Sequence, residues 1–272
     1  MDPQTRWWWT FLCGIAALNV AAWAASALWL HRRGAARRAD VRLHLLLSAV
    51  YVAGCAWRSV LPVFDIQRQV LVDSALSSVL VGRSVATLAE LCFAAQWALL
   101  LAASARSVQA HRALWTARVI VPMIAIAELF SWHAVLTTSN LGHVVEEALW
   151  GTAAALAALT MASIAPRHAG RARVALYAAA TAGAAYVAYM FAIDVPMYWA
   201  RWLADEAAGR SYLALADGLA DAASRWTVSH RWSDWHTEVV WMSLYFSVAV
   251  WISIALAHLR WPRPLQAAGA RA

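Results

Sequence analysis

Residues 7–42, WWWTFLCGIAALNVAAWAASALWLHRRGAARRADVR, carry the two signals from which the fold is read. From Trp7 to Leu30 there is no charged side chain, and about 20 apolar residues are enough to cross the roughly 30 Å of hydrocarbon in a bilayer. A basic cluster follows at once, with His31, Arg32, Arg33, Arg37, Arg38 and Arg42. Ala25, Ser26 and Ala27 resemble a signal-peptidase site, but only Arg6 precedes the apolar run, which is the reverse of a secretory signal's polarity. The stretch therefore reads as an uncleaved first transmembrane helix whose basic end stays in the cytoplasm, leaving the N-terminus outside.

The rest of the chain repeats that pattern. Of the 272 residues, 62% are hydrophobic and 14% charged, and the mean hydropathy is +0.54, a balance that excludes disorder and argues against soluble domains. Apolar windows of spanning length fall at 7–30, 43–64, 79–101, 119–138, 144–165, 174–199 and 239–259. The loops after the first, third and fifth windows and the C-terminal tail are rich in arginine. They hold Arg106, Arg112 and Arg118, then Arg167, Arg171 and Arg173, then Arg260, Arg263 and Arg271, with Asp40 as their only acid. The opposite side collects Asp2, Asp65, Asp73, Asp205, Glu206, Asp217, Asp221 and Asp234. The expectation is an all-α integral membrane protein, a seven-transmembrane helix bundle in a bacterial cytoplasmic membrane. Its N-terminus is outside and its C-terminus cytoplasmic, with one domain over 1–265 and a short tail over 266–272. Loop charge then accounts for the net +7 and the pI of about 9.9 without nucleic acid as a partner.

Between windows six and seven, residues 211–226 place Tyr212, Leu215, Leu219 and Trp226 on one helical face opposite Asp217, Asp221 and Arg225. An amphipathic helix in the outer loop is expected there. Tryptophans at the window ends, among them Trp115, Trp199, Trp241 and Trp261, are assigned to interfacial anchoring. Lysine is absent, which excludes a Schiff base with retinal or pyridoxal phosphate. Cys13, Cys55 and Cys92 form no Cys-x-x-Cys pair.

Function is sought among ionisable residues inside the spans, where they are costly and face the bundle interior. Arg83, Thr87 and Glu90 share one stripe of helix three, and Glu128 reaches the same depth on helix four. These carboxylates suit a shared proton, a bridged metal, or separate polar partners. His143 with Glu146 and Glu147 opens helix five at metal-ligand spacing. Asp194 precedes Pro196 and Tyr198 near the end of helix six, and His133 and His236 lie toward the same side. Arg58, Arg68 and Arg83 are expected either to snorkel to lipid phosphate or to form an anion clamp beside the acids.

The leading expectation is a membrane enzyme whose cavity opens to the outer face and takes a lipid-like or amphiphilic substrate. Glu90, Glu128, Arg83 and Tyr198 are its catalytic set, and His133, His143, Glu146, Glu147, Asp194 and His236 ligate one or two ions of iron, manganese or zinc. The alternative is a proton-coupled transporter or channel that uses Glu90 and Glu128 as midplane protonation sites, and a third reading is a sensor or scaffold. In span count the chain is similar to the rhodopsins and to seven-helix membrane hydrolases of the alkaline ceramidase type. The seventh window, however, has no lysine for retinal and only His258 where those hydrolases carry paired histidines.

Overall fold

The structure, a computed structural model, describes residues 1–259. Trp261, the tail arginines and the expected tail 266–272 lie outside the described residues. Among the described residues, seven helices are long and apolar enough to cross a membrane, at Pro3–Arg32, Ala39–Val60, Val79–Ser107, His111–Thr137, Asn140–Arg167, Gly170–Ala207 and Val239–Leu256. The chain is an integral, multi-pass membrane protein. Helices α1 (Pro3–Arg32), α2 (Ala39–Val60), α3 (Val79–Ser107), α4 (His111–Thr137) and α5 (Asn140–Ile164) each pack on the next, and α6 (Gly170–Tyr189) packs on α5. The seventh span closes the bundle by packing on α1, α2 and α3.

Polarity is arranged as a bilayer requires. Leu46, Leu88, Leu129, Leu159 and Val174 point outward, while Ser48, Gln96, Glu128, Ser131 and Ser253 are buried. Gln96, for example, joins three helices: its Nε2 donates to the His44 carbonyl (3.2 Å), and its Oε1 accepts from the Ser253 hydroxyl (2.6 Å).

The last two spans are not plain α-helices. The sixth runs through a wider π-helical turn at Met190–Asp194 into α7 (Val195–Ala207). Pro196 has no N–H for the carbonyl of Ala192 and its ring would crowd that oxygen, so the helix widens one turn before it. The span reaches Ala207, beyond the expected end at 199, because the charged residues there are paired. Arg201 has Glu238, and Asp205 has Asn140 and Arg210. The seventh span consists of α10 (Val239–Leu244), a π-turn at Tyr245–Ala249, and α11 (Val250–Leu256). Asn19 Nδ2 donates to the Phe246 carbonyl within that turn at 2.7 Å.

One end of the bundle carries a folded cap. Strand β1 (Val63–Phe64) pairs antiparallel with β2 (Gln69–Val70), which pairs parallel with β3 (Thr227–Val228). Helices α8 (Leu215–Ser224) and α9 (Trp232–Trp235) complete it. The N-terminus joins the same end, since the Asp2 N–H donates to the His230 carbonyl (3.0 Å) and the Trp232 N–H to the Asp2 carboxylate (2.8 Å). Arg68, 2% exposed, ties the cap to the bundle. It donates to Asp221 on α8 (2.7 Å), to the Asp65 carbonyl (2.7 Å) and to the Val135 carbonyl on α4 (2.8 Å). Arg58 is buried on the Val63 carbonyl and Asp65. Both arginines are buried and turned to internal acceptors rather than to lipid phosphate, with Arg58 Nε left buried without a partner.

Helix α8 also differs from expectation. Tyr212 and Trp226 lie beyond its ends, Leu215 and Leu219 are 54% and 50% exposed, and the buried face is Gly218 and Ala222. The small residues win because they allow backbone contact with α4: a Cβ at Gly218 would sit 1.9 Å from the Leu136 carbonyl oxygen. At Asp221, burial opposes ionisation, but hydrogen bonds from Arg225 and Arg68 hold the carboxyl below its usual range.

Gly142 allows a similar close crossing between α5 and α4, where a Cβ would fall 2.6 Å from the Phe130 carbonyl and 2.8 Å from the Ala134 nitrogen. Both obstacles are backbone, so Gly142→Ala is expected to cost about 1–3 kcal/mol. Gly14, with nothing within 4 Å, should accept alanine at no cost. Thermal unfolding of the two detergent-purified variants measures the difference, and equal midpoints would refute the close-crossing explanation.

Candidate functional site

Six side chains from three helices meet in the half of the bundle below the cap. Arg83, Thr87 and Glu90 rise along one face of α3, as their spacing of four and seven requires. Glu128 comes from α4, and Glu146 with His143 from the first turns of α5. Arg83 is their centre. Its Nη2 donates to Glu90 Oε2 and to Glu128 Oε2, both at 2.8 Å, and its Nη1 lies 3.6 Å from Glu146 Oε1. One oxygen of each of the three carboxylates lies within 4.8 Å of the others. Arg83, Glu128 and Glu146 are at most 4% exposed and Glu90 is 9% exposed.

Neutral donors hold the acids in place. Thr87 Oγ1 donates to Glu128 Oε2 (2.6 Å) and accepts from Trp132 Nε1 (3.1 Å). The Tyr245 hydroxyl, in the π-turn of the seventh span, donates to Glu90 Oε1 (3.1 Å). His143 Nδ1 lies 2.6 Å from Glu146 Oε2. Glu128 Oε1 is buried with no hydrogen-bond partner.

The charges do not balance. Three carboxylates surround one guanidinium, and two like charges 4.8 Å apart repel by about 3–4 kcal/mol even at an effective dielectric of about 20. Further positive charge is needed, as protons, as an imidazolium at His143, or as a bound cation. A metal ion fits this donor set poorly, because the Arg83 guanidinium already lies between Glu90 and Glu128. Imidazole ligands are scarce as well. His143 is committed to Glu146, while His133 and His236 are exposed, and His236 Nδ1 lies 2.9 Å from the Ser233 carbonyl. The expected convergence of His133 and His236 on this site does not occur. His133 is five positions from Glu128 and so turns away from the bundle, and His236 follows α9 in the exposed cap.

The remaining expected residues form a layer toward the cap. Tyr198 stacks on His143 with ring centroids 4.9 Å apart, and the Arg201 guanidinium lies 5.3 Å from the Tyr198 ring. Asp194 is buried within electrostatic range of His143, Glu146, Arg201 and Glu238. Glu147 is half-buried and makes no hydrogen bond or ion pair among the described residues. Sequence reasoning did not assign roles to Arg201 and Glu238, which pair at 3.3 Å. Glu238, 1% exposed, also accepts from Thr237 (2.9 Å) and Trp241 (2.6 Å). A usable signal was present in Arg201, a charge three positions after Tyr198 on a continuing helix. Tyr245 carries no comparable signal, because the π-turn that aims it at Glu90 leaves no mark in the hydropathy.

Above this layer, a cleft of about 370 Å³ opens in the cap, lined by Phe64, Gln69, Asn140, Arg201, Arg210 and Thr237 among others. Arg201 belongs to both the cleft wall and the layer over His143, so it connects the aqueous end to the buried acids.

Removing the central cation should be more damaging than removing an acid. Arg83→Gln strands three carboxylates and is expected to cost about 3–5 kcal/mol, whereas Glu128→Gln in the Arg83→Gln background should recover part of that loss. A double-mutant cycle on unfolding midpoints tests this, and additive effects would show that the two side chains are not coupled.

Comparison with known proteins found no family model, no curated protein and no solved structure that matches this chain.

Proposed function

We propose that the protein is a proton-coupled transporter of a bacterial cytoplasmic membrane, with the Arg83-centred carboxylates as its proton site and the cap cleft as its aqueous mouth. The observation that carries this reading is the excess of buried negative charge, three carboxylates around one guanidinium in a low-dielectric interior. Protons are the countercharge that such a cluster accepts and releases as its contact with water changes. His143 and Tyr198 stand between the acids and the cleft, where a proton passing to or from Glu146 would be handled.

Two further features favour transport over a rigid catalytic site. The π-turns at Met190–Asp194 and Tyr245–Ala249 interrupt the two spans that flank the cluster, and such turns are common where helices serve functional sites. Arg83 occupies the position that the metal-dependent enzyme reading needs for its ion. The orientation follows from loop charge. The arginine-rich turns around Arg32–Arg42, Arg106–Arg118 and Arg167–Arg173 face the cytoplasm, and the cap and N-terminus face outside. In this orientation α8 lies at the outer interface with Leu215 and Leu219 toward lipid.

The test is proton entry into proteoliposomes enclosing a pH-sensitive dye, driven by a valinomycin-set potential in the presence of a low-molecular-weight cell filtrate. Flux is expected in the wild type and should fall roughly a hundredfold in Glu90→Gln and Glu128→Gln. A protein that conducts no protons but carries stoichiometric iron, manganese or zinc, lost in Glu128→Gln, would replace transport with the metal-enzyme reading.

A further inference from the structure

At the end of the bundle opposite the cap, a groove of about 220 Å³ opens between α3 and α4. It exists because Ala98, Ala102 and Ala117 put only a methyl group each into the space between the helices. Its charged walls are Arg106 and Arg118, and both side chains are exposed. Ala98, Ala102 and Arg106 follow one face of α3 at spacings of four, so the groove descends about 12 Å from Arg106 to Ala98. Arg118 lies about two turns inside α4. Helical side chains lean toward the helix N-terminus, however, and its guanidinium turns back over Trp115, 5.4 Å from the ring centroid. Trp115 is 66% exposed, an aromatic of the kind that anchors at headgroup level. The two guanidiniums thus stand at the membrane interface, above an apolar channel that continues into the hydrocarbon.

Neither arginine has an acid partner among the described residues. Asp40 is the one acid side chain at this end, and it pairs with Arg38. Residues 260–272 carry three arginines and no acid, so they bring more positive charge rather than less. Guanidiniums without a counterion at the edge of the hydrocarbon attract an anion, and their planar donors match a phosphate group. A zwitterionic headgroup brings an ammonium that two guanidiniums repel, and a free phosphate leaves the alanine channel uncovered. We propose that the groove seats one anionic phospholipid, its phosphate at Arg106 and Arg118 and the upper part of an acyl chain over Ala102 and Ala98. The volume agrees with a partial occupant. Pockets that enclose a whole small molecule hold roughly 300–1,000 Å³, whereas about 220 Å³ takes one part of a molecule whose remainder lies in the bilayer. The seat does not depend on the transport reading, and in the orientation given by loop charge the lipid belongs to the cytoplasmic leaflet.

The experiment is native mass spectrometry of the full-length, detergent-purified protein titrated with phosphatidylglycerol or with phosphatidylcholine of the same chains. Phosphatidylglycerol is expected to bind in preference by roughly 30-fold in Kd, at about fivefold for each arginine beside the phosphate. Arg106→Gln and Arg118→Gln should each lower that preference about fivefold, and the double variant should abolish it. Ala102→Leu fills the channel without touching either charge and should also release the lipid. Arg112→Gln, at an exposed arginine of the same turn outside the groove, should leave binding unchanged. Matching unfolding midpoints in lipid-free detergent verify that the variants fold. Equal affinity of the wild type for the two lipids, or a preference that survives the double variant, overturns the proposal. So does an equal loss in Arg112→Gln, or full binding in Ala102→Leu, since either means charge attraction without a seat. Displacement of the lipid by millimolar inorganic phosphate would assign the arginines to a soluble anion and overturn it likewise.

Discussion

The site depends on a guanidinium buried among carboxylates where water cannot solvate either. Arg83 reaches three helices with one planar group, and Glu90, Glu128 and Glu146 reach it from α3, α4 and α5. In lipid the alternative for each of these groups is an unpaired charge in hydrocarbon, so the helices must stay in register for all of them at once. Thr87 and Tyr245 make the arrangement specific by occupying particular carboxylate oxygens, and Trp132 orients the Thr87 hydroxyl by donating to it. The surplus negative charge that remains gives the cluster a chemistry beyond holding helices together.

The architecture around the cluster follows from bringing backbones close enough for those side chains to meet. Gly142 lets α5 approach the α4 backbone, and Gly218 lets α8 rest directly on the Leu136 carbonyl. Arg68 then fastens α8, the α2–α3 connection and α4 to one another. The same cap positions Gln69, Asn140 and Arg201 around a common cleft. The layer of Arg201, Tyr198 and His143 makes the cleft and the buried acids neighbours rather than separate features.

Much of the fold was legible in the chain because bilayer thickness leaves a one-dimensional record. All seven expected windows overlap the helices found, the most displaced ends being His111 rather than 119 and Ala207 rather than 199, and at the latter charged residues find partners across space. Glu90 and Glu128 were legible as interior groups because their cost in lipid requires a partner, and Arg83 was visible on the same stripe. The histidines were read less well. Depth alone grouped His133 and His236 with His143, but depth does not say which way a side chain turns, and both are exposed. For α8, a count of large apolar residues chose Leu215 and Leu219 as the packed face, whereas contact with α4 favours Gly218 and Ala222.

The sequence by itself determined the number of spans, the arginine-rich and acid-rich ends, and the few ionisable residues the membrane would have to enclose, since each follows from composition along a line. Packing of the helices decided that Glu146 joins Glu90 and Glu128, that Arg83 is the partner all three share, and that Asn140, Gln69 and Arg201 line one cleft. Those relations depend on helix rotation and on close crossings at single glycines. Helix rotation changes by about 100° with each residue, so spacing within one helix cannot specify a meeting among several.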